Sequence, residues 1–295
     1  MRMGAATAIL IVLAMHLWQG ALQPARGEPA AAAAASSGPP VCDHHKFRVV
    51  VDVGHTARNP GAKSARGADE YDFNLRLAKE IEQKLIAAGF ERTVLLITTE
   101  TPRSALFKRA SRAGAMGADL FLSIHHDSVP DKFLEKWQYE GATHGYSDRF
   151  PGHSIFISKD NPERARSLQF ASMLGEALKA RGLKYTHHYT EKFMGHRQRI
   201  LVDADAGVYR YDQLIVLRST KMPAVLLEAG SIINRDEEVE LNTPERRTLT
   251  SEATAEAVES FCALGPRRNP ALIARAPHAV LPVAATPMRA IVKRP

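Results

Sequence analysis

Met222-Pro223-Ala224-Val225-Leu226-Leu227-Glu228 is the stretch whose reading decides the fold. Ala224, Val225, Leu226 and Leu227 form an unbroken apolar run bounded by Pro223 and Gly230. So short and so apolar a run reads as a strand buried on both faces. It ends on a carboxylate, Glu228, where another apolar residue would be the cheaper choice. Two other apolar runs end in a similar way: Phe47 to Val53 leads into Gly54-His55, and Leu120 to Ile124 leads into His125. Open α/β sheets carry their sites beyond the carboxyl ends of the strands. Three polar strand endings therefore predict one shared site.

Working outward, the apolar positions Phe73, Leu77, Ile81 and Leu85 recur every fourth residue and predict a helix that begins near Asp69 or Glu70 and stops at Gly89. Further strands are expected at Thr93 to Ile97, Ser154 to Ile157 and Leu214 to Leu217, and further helices at 103–115, 162–180 and 245–261. Strands alternating with helices predict a single α/β domain, a twisted, mostly parallel sheet with helices on both faces. Residues 183–211 are polar and aromatic and receive no element. Residues 129–152, with Trp137, Tyr139, Tyr146 and Phe150, are expected to form a partly ordered surface loop near the site, or else a plain insertion.

The 295 residues carry a formal charge of +7, but the excess lies at the ends. Residues 1–40 and 265–295 hold eight of the bases and one acid, which leaves 31 bases and 31 acids between them. A neutral folded core argues against nucleic acid as a partner, since that needs a basic face. The start of the chain reads as a signal peptide over 1–27: Arg2, an apolar stretch from Ala5 to Trp18, and the small residues Ala25 and Gly27. Export to the periplasm or the extracellular space is the expectation. Residues 28–45 read as a flexible linker, 46–264 as the catalytic domain, and 265–295 as a disordered basic Pro/Ala-rich tail. That tail is a candidate for weak contact with anionic wall polymer or membrane surface. Cys42 and Cys262 bracket the domain. In an oxidising compartment they are candidates for a disulfide, unrelated free thiols being the alternative.

Glu70 shares a helix face with Asn74, Leu77 and Ile81, so it points inward at the helix start. With His55 and His125 it makes two neutral imidazoles and one carboxylate, the donor set of a hydrolytic zinc site. One such acid leaves positive charge on a dication, enough to draw the pKa of bound water toward neutrality. Glu228 then fits as the base that takes the water proton. His126 neighbours His125, but alternation along the strand lets only one of them face the site. Asp52 reads as a strand-end hydrogen-bonding residue or as a group orienting a ligand histidine. Arg218 is a candidate for gripping a substrate carboxylate, with a structural ion pair as the alternative. His144, His153, His187, His188 and His196 read as surface residues.

Four ordered motifs then carry a resemblance. They are Val50-Val51-Asp52-Val53-Gly54-His55, Glu70-Tyr71-Asp72-Phe73-Asn74-Leu75, Phe121-Leu122-Ser123-Ile124-His125, and Val216 through Glu228 with Asn234. Together they resemble the zinc-dependent N-acetylmuramoyl-L-alanine amidases of the type 3 family, over roughly residues 46–262. The resemblance implies a twisted mixed sheet of the phosphorylase/hydrolase kind and one Zn2+ held by His55, Glu70 and His125, with Glu228 catalytic. It also implies peptidoglycan as substrate, cut between N-acetylmuramic acid and L-alanine of the stem peptide. Asn234 and Asp127 are carried as substrate-binding candidates. Val53, Thr56, Ala57, Asp127 and Ser231 depart from the family's usual residues, which bears on substrate preference and on the loop around His55. Three alternatives stand beside this reading: a carboxypeptidase-like zinc peptide hydrolase, a non-catalytic wall-binding module, and a regulatory partner of other amidases. No charged helix interrupts residues 158–182, so weak autoinhibition is expected, with an activator protein as the competing possibility.

Overall fold

The computed structural model describes residues 42–100 and 102–265. The signal segment 1–27 and nearly all of the basic tail lie outside them. In chain order the elements are β1 (Val49–Val53), α1 (Glu70–Ala87), β2 (Val94–Leu96), α2 (Pro102–Ala115), β3 (Leu120–Asp127), β4 (Glu135–Tyr139), β5 (Ala142–Tyr146), β6 (Ser154–Ile157), α3 (Arg164–Ala180), β7 (Ile200–Asp203), β8 (Val208–Arg210), α4 (Ile215–Arg218), β9 (Ala224–Ser231), α5 (Arg235–Leu241) and α6 (Pro244–Ala263). Three short 3-10 turns, one before β4 and two between α3 and β7, complete the set.

Seven strands form one sheet in the order β2-β1-β3-β9-β6-β8-β7. The β2-β1-β3-β9 half is parallel; β6 runs antiparallel to β9 and β7 antiparallel to β8. Alternation along the strands sorts the core into two layers. Val49, Val51, Val53, Leu122, Ile124, Val225 and Leu227 pack with Leu77, Ile81 and Leu85 of α1, Phe170 and Leu174 of α3, and Val258 and Phe261 of α6. Val50, Phe121, Ala224 and Leu226 pack on the other face with Ala113 of α2 and with Val216 and Leu217 of α4. Both faces are therefore covered, which is why the central strands are apolar throughout.

Three expectations are revised. Leu214 to Leu217 is not a strand: Leu214 caps the short helix α4, and Val216 and Leu217 bury side by side on one helical turn. The side-chain amide of Asn161 holds that turn, donating to the carbonyls of Leu217 and Met222. The unassigned stretch 183–211 contains β7 and β8, strands of four and three residues, too short for a period to show. Residues 129–152 are better ordered than a loop, since β4 and β5 pair as an antiparallel hairpin. The folded unit also begins before residue 46. His44 stacks on Phe90 and bonds Glu259 of α6, and Cys42 is joined to Cys262 with their Cα atoms 5.1 Å apart. Among the described residues no helix is long and apolar enough to cross a membrane.

Candidate active site

The central parallel strands aim their carboxyl ends at one edge of the sheet, and β6 begins there because it runs against β9. His125 and Glu228 are direct partners across β3 and β9, and Ser154 faces Glu228 from the other side. A register shift just beyond His125 and Glu228 ends the regular ladder. Such bulges re-aim side chains at sheet rims.

Glu70 is the first residue of α1 and is buried. Its two oxygens divide the imidazoles: Oε2 lies 3.0 Å from Nε2 of His55, and Oε1 lies 3.1 Å from Nδ1 of His125. The three donor atoms all fall within 4.8 Å of one another. Backbone N–H of Ala62 and the side-chain amide of Asn74 also donate to Glu70. Burial alone would raise the pKa of Glu70, but the hydrogen bonds to His125 and His55 outweigh it and hold the group ionised. Burial lowers the pKa of His125, which favours the neutral, ligating ring. Two neutral imidazoles and one carboxylate oxygen pair around a common point fit a zinc ion.

Glu228 completes the group. Its Oε2 is buried and, among the described residues, has no hydrogen-bond partner. Burial, with the charges of Asp127 and Glu70, raises its pKa well above the usual carboxylate range. An unpartnered buried carboxylate oxygen beside a cation cradle is what a proton-accepting base in a hydrolase needs.

The backbone around the cradle is shaped for it. His55 lies at φ 65°, in the left-handed region. A Cβ on Gly54 would come within 2.5 Å of the His125 ring, and one on Gly61 within 2.3 Å of Glu70 Oε2. Only glycine leaves room for the His125, His55 and Glu70 side chains at these two positions. Arg109 of α2 braces the turn: its guanidinium bonds the carbonyls of Val53 and His55 and pairs with Asp52 at 2.8 Å. Ser123 Oγ donates to the other oxygen of Asp52 at 2.7 Å. Asp52 thus bears on His55 through Arg109 and the backbone, and not through the imidazole ring.

The remaining predicted residues fall elsewhere. His126 faces away from the cluster and bonds Asn74 Oδ1 at 2.8 Å. Asp127 is buried and accepts from the Tyr189 hydroxyl at 2.8 and 2.9 Å; burial pushes its pKa up to about 7. Asn234 caps α5, accepting from the N–H groups of Asp236 and Glu237. Arg218 is exposed at the end of α4, and among the described residues its side chain bonds no site residue. His153 and His188 are not surface residues: they are 2% and 5% exposed, His153 lying under the segment between α3 and β7 and His188 within that segment. Sequence reading missed Arg109, Asn74 and Tyr189. Asn74 was detectable, one turn beyond Glu70 on its inward face, whereas Arg109 and Tyr189 reach the site through pairings with no local signal. A second donor set of Cys42, His44 and Glu259 is no metal site, because the sulfur is engaged in the disulfide.

The fold and cluster define a class: an α/β domain with a His-Glu-His cradle at the strand ends. The family is equally plain. The model of the N-acetylmuramoyl-L-alanine amidase family matches residues 49–260, and the chain belongs to that family. Among curated relatives, the endolysin of Bacillus phage SPP1 is 28% identical over 71% of this chain and 64% of its own length. AmiC of Neisseria meningitidis serogroup B is 25% identical over 72% of this chain and 52% of its own. The match thus spans less than two thirds of each of these two. The solved amidase Ami1 of Mycobacterium smegmatis shares the fold, with a TM-score of 0.55 at 18% identity over 74% of this chain and 97% of that one.

Proposed function

We propose that this chain is an exported, zinc-dependent N-acetylmuramoyl-L-alanine amidase. It hydrolyses the amide between the lactyl group of N-acetylmuramic acid and L-alanine of the peptidoglycan stem. The observation that carries the proposal is the convergence of His55, Glu70 and His125 within 4.8 Å, on a chain of this family, with the unpartnered Glu228 carboxylate beside them.

His55, Glu70 and His125 would hold the metal. A zinc ion there supplies a Lewis acid that polarises the amide carbonyl and makes water a better nucleophile. Glu228 takes the proton from the attacking water and returns it to the leaving nitrogen. The burial and neighbouring acids that raise its pKa make it a stronger base for the first step and a competent acid for the second. Arg109 and Asp52 keep the His55 turn in place, and Asn74 holds the Glu70 carboxylate toward the two rings.

The Cys42–Cys262 bond supports a life in an oxidising compartment. His55 and His125 retain 28% and 18% side-chain exposure, so the cradle is open to solvent and activity without an activator is expected. The test is digestion of purified sacculi with the metal-loaded mature protein, followed by mass spectrometry. Lactyl-muramyl ends and peptides beginning at L-alanine are expected. Release of free amino acids alone would instead identify a carboxypeptidase, and sacculi left intact until a partner is added would establish an activator.

A further inference from the structure

The hairpin of β4 and β5 has no part in the amidase reading, yet it stands against the loop that leads into Glu70. A lone two-stranded sheet is marginal in water, so it needs something to rest on. Trp137, Tyr139, His144 and Tyr146 share one of its faces, because alternate residues and cross-strand partners point the same way. The Nε1–H of Trp137 donates to the carbonyl of Ala65 at 2.7 Å, across 72 positions of sequence. Arg66 lies over Trp137 at 5.3 Å and over Tyr139 at 5.4 Å. Arg235 lies over Trp137 at 5.3 Å and over Tyr146 at 3.9 Å. The His144 ring takes the space beside Gly67, 2.5 Å from where a Cβ would stand.

Residues 61–69 bury only Ser64 and Ala65. So little buried surface does not offset the entropy of ordering the loop. Yet the loop has to be ordered, because its first residues shape the cradle. Ala62 N–H donates to Glu70 Oε2 at 3.1 Å, and Glu70 N–H donates back to the Ala62 carbonyl at 3.0 Å. The loop's middle is held from outside. Ala65 N–H donates to the Ile232 carbonyl at 2.8 Å, just past β9, and Arg66 pairs with the buried Glu238 of α5 at 2.7 Å. Trp137 takes the remaining Ala65 carbonyl, so Ala65 is bonded on one side to the end of β9 and on the other to the hairpin.

We propose that the β4–β5 hairpin is a clamp on the loop 61–69, and that Trp137 is a positioning residue for the metal, acting through Ala65 and Ala62 on the Glu70 carboxylate. The inference rests on the reading of His55, Glu70 and His125 as the metal-holding group. Such a coupling is reciprocal: what the hairpin contributes to metal affinity, the bound metal returns as order in the hairpin.

Zinc alone, titrated into the metal-free mature protein, tests it. Trp18 and Trp137 are the chain's two tryptophans, and Trp18 lies within the proposed signal segment, so indole emission reports on Trp137. Zinc is expected to shift that emission and to slow amide exchange across 135–146 roughly threefold. Glu70→Gln should show neither change at zinc concentrations that saturate the wild type. Trp137→Phe keeps a ring but loses the donor, and chelator competition is expected to find its zinc affinity about 3-fold lower, with Trp137→Ala about 10-fold lower. Lys136→Ala, exposed on the opposite face of the hairpin, should bind zinc as the wild type does. Saturating zinc is expected to bring lysis of sacculi by Trp137→Phe to within about twofold of wild type, by mass action. Emission and exchange that ignore zinc overturn the proposal, as do Trp137 variants with wild-type affinity. So does a lysis defect that excess zinc leaves in place, or an equal loss of affinity in Lys136→Ala. A wild type that takes up no zinc overturns the metal reading and the clamp with it. Zinc coupled to Trp137 without cleavage of any muramyl amide removes the amidase activity and leaves the clamp standing.

Discussion

At φ 65°, His55 occupies backbone space that disfavours any side chain with a Cβ, by roughly 1 kcal/mol or more. The strain persists because Arg109 grips the carbonyls on either side of the turn and Gly54 and Gly61 leave the space that His125, Glu70 and His55 fill. Gly61→Ala, which brings a Cβ to 2.3 Å from Glu70 Oε2 at φ 84°, is expected to weaken zinc binding on the order of 10- to 100-fold, as loss of ligand support does. Competition with a chromogenic chelator would measure it; unchanged affinity would show that the loop yields easily. Glu228→Gln keeps the shape but removes the carboxylate proposed as the base. Its expected effect is a drop in kcat of about 10²- to 10⁴-fold with metal content unchanged. Wild-type clearing of sacculi by this variant would remove Glu228 from the mechanism.

Elements set those residues in place through contacts that skip along the chain. α1 begins on Glu70 and buries Phe73, Leu77, Ile81 and Leu85, so one amphipathic face both packs the sheet and brings Glu70 to the two imidazoles. α2 reaches the same site through Arg109, whose pairing with Asp52 is almost wholly buried. Removing one partner of a buried pair leaves the other uncompensated, at a cost of about 3–5 kcal/mol. Arg109→Met is therefore expected to lower unfolding stability by that order and to reduce zinc affinity as well, while Arg109→Met with Asp52→Asn recovers part of the stability but not the affinity. Urea denaturation beside metal titration separates the two effects. Recovery of both would mean that Arg109 acts on the fold alone. The segment between α3 and β7 buries His153, and burial holds its pKa at about 3. The folded state thus resists a proton that the unfolded chain accepts near its ordinary pKa of about 6.5. The stabilisation is full above that value and is lost as pH falls through the window down to about 3. Relative to His153→Gln, the wild type should lose about 2 kcal/mol between pH 7.5 and pH 5. A parallel course of the two stability curves would show that His153 is protonated when folded.

Across the whole molecule, one covalent link joins the start of the folded unit to its last helix, between Cys42 and Cys262 at a sequence separation of 220. A loop that long restricts the unfolded chain strongly, by about 5 kcal/mol in the chain-entropy model. Reduction, or Cys42→Ser with Cys262→Ser, is expected to lower Tm with little change in kcat, since the link lies by α6 and the turn at 43–46, away from the cradle. Thiol titration of the denatured protein without reductant should find none free. Two free thiols would abolish the link and weaken the case for an oxidising compartment.

Chemistry-bearing strand ends and the inward face of α1 were legible in the sequence because each is a local pattern: an apolar run, its polar terminus, a four-residue period. These marked His55, Glu70, His125 and Glu228 before any coordinates. What tertiary structure decided has no such period. Leu214 to Leu217 became a helix because Asn161 and the packing beside α2 outweighed a strand-like run of four residues. Arg109, Tyr189, His153 and His188 acquired their surroundings from segments distant in sequence. Short apolar runs and lone polar side chains carry too little local free energy to choose their own environment, so the assembled sheet and its covering loops choose it for them.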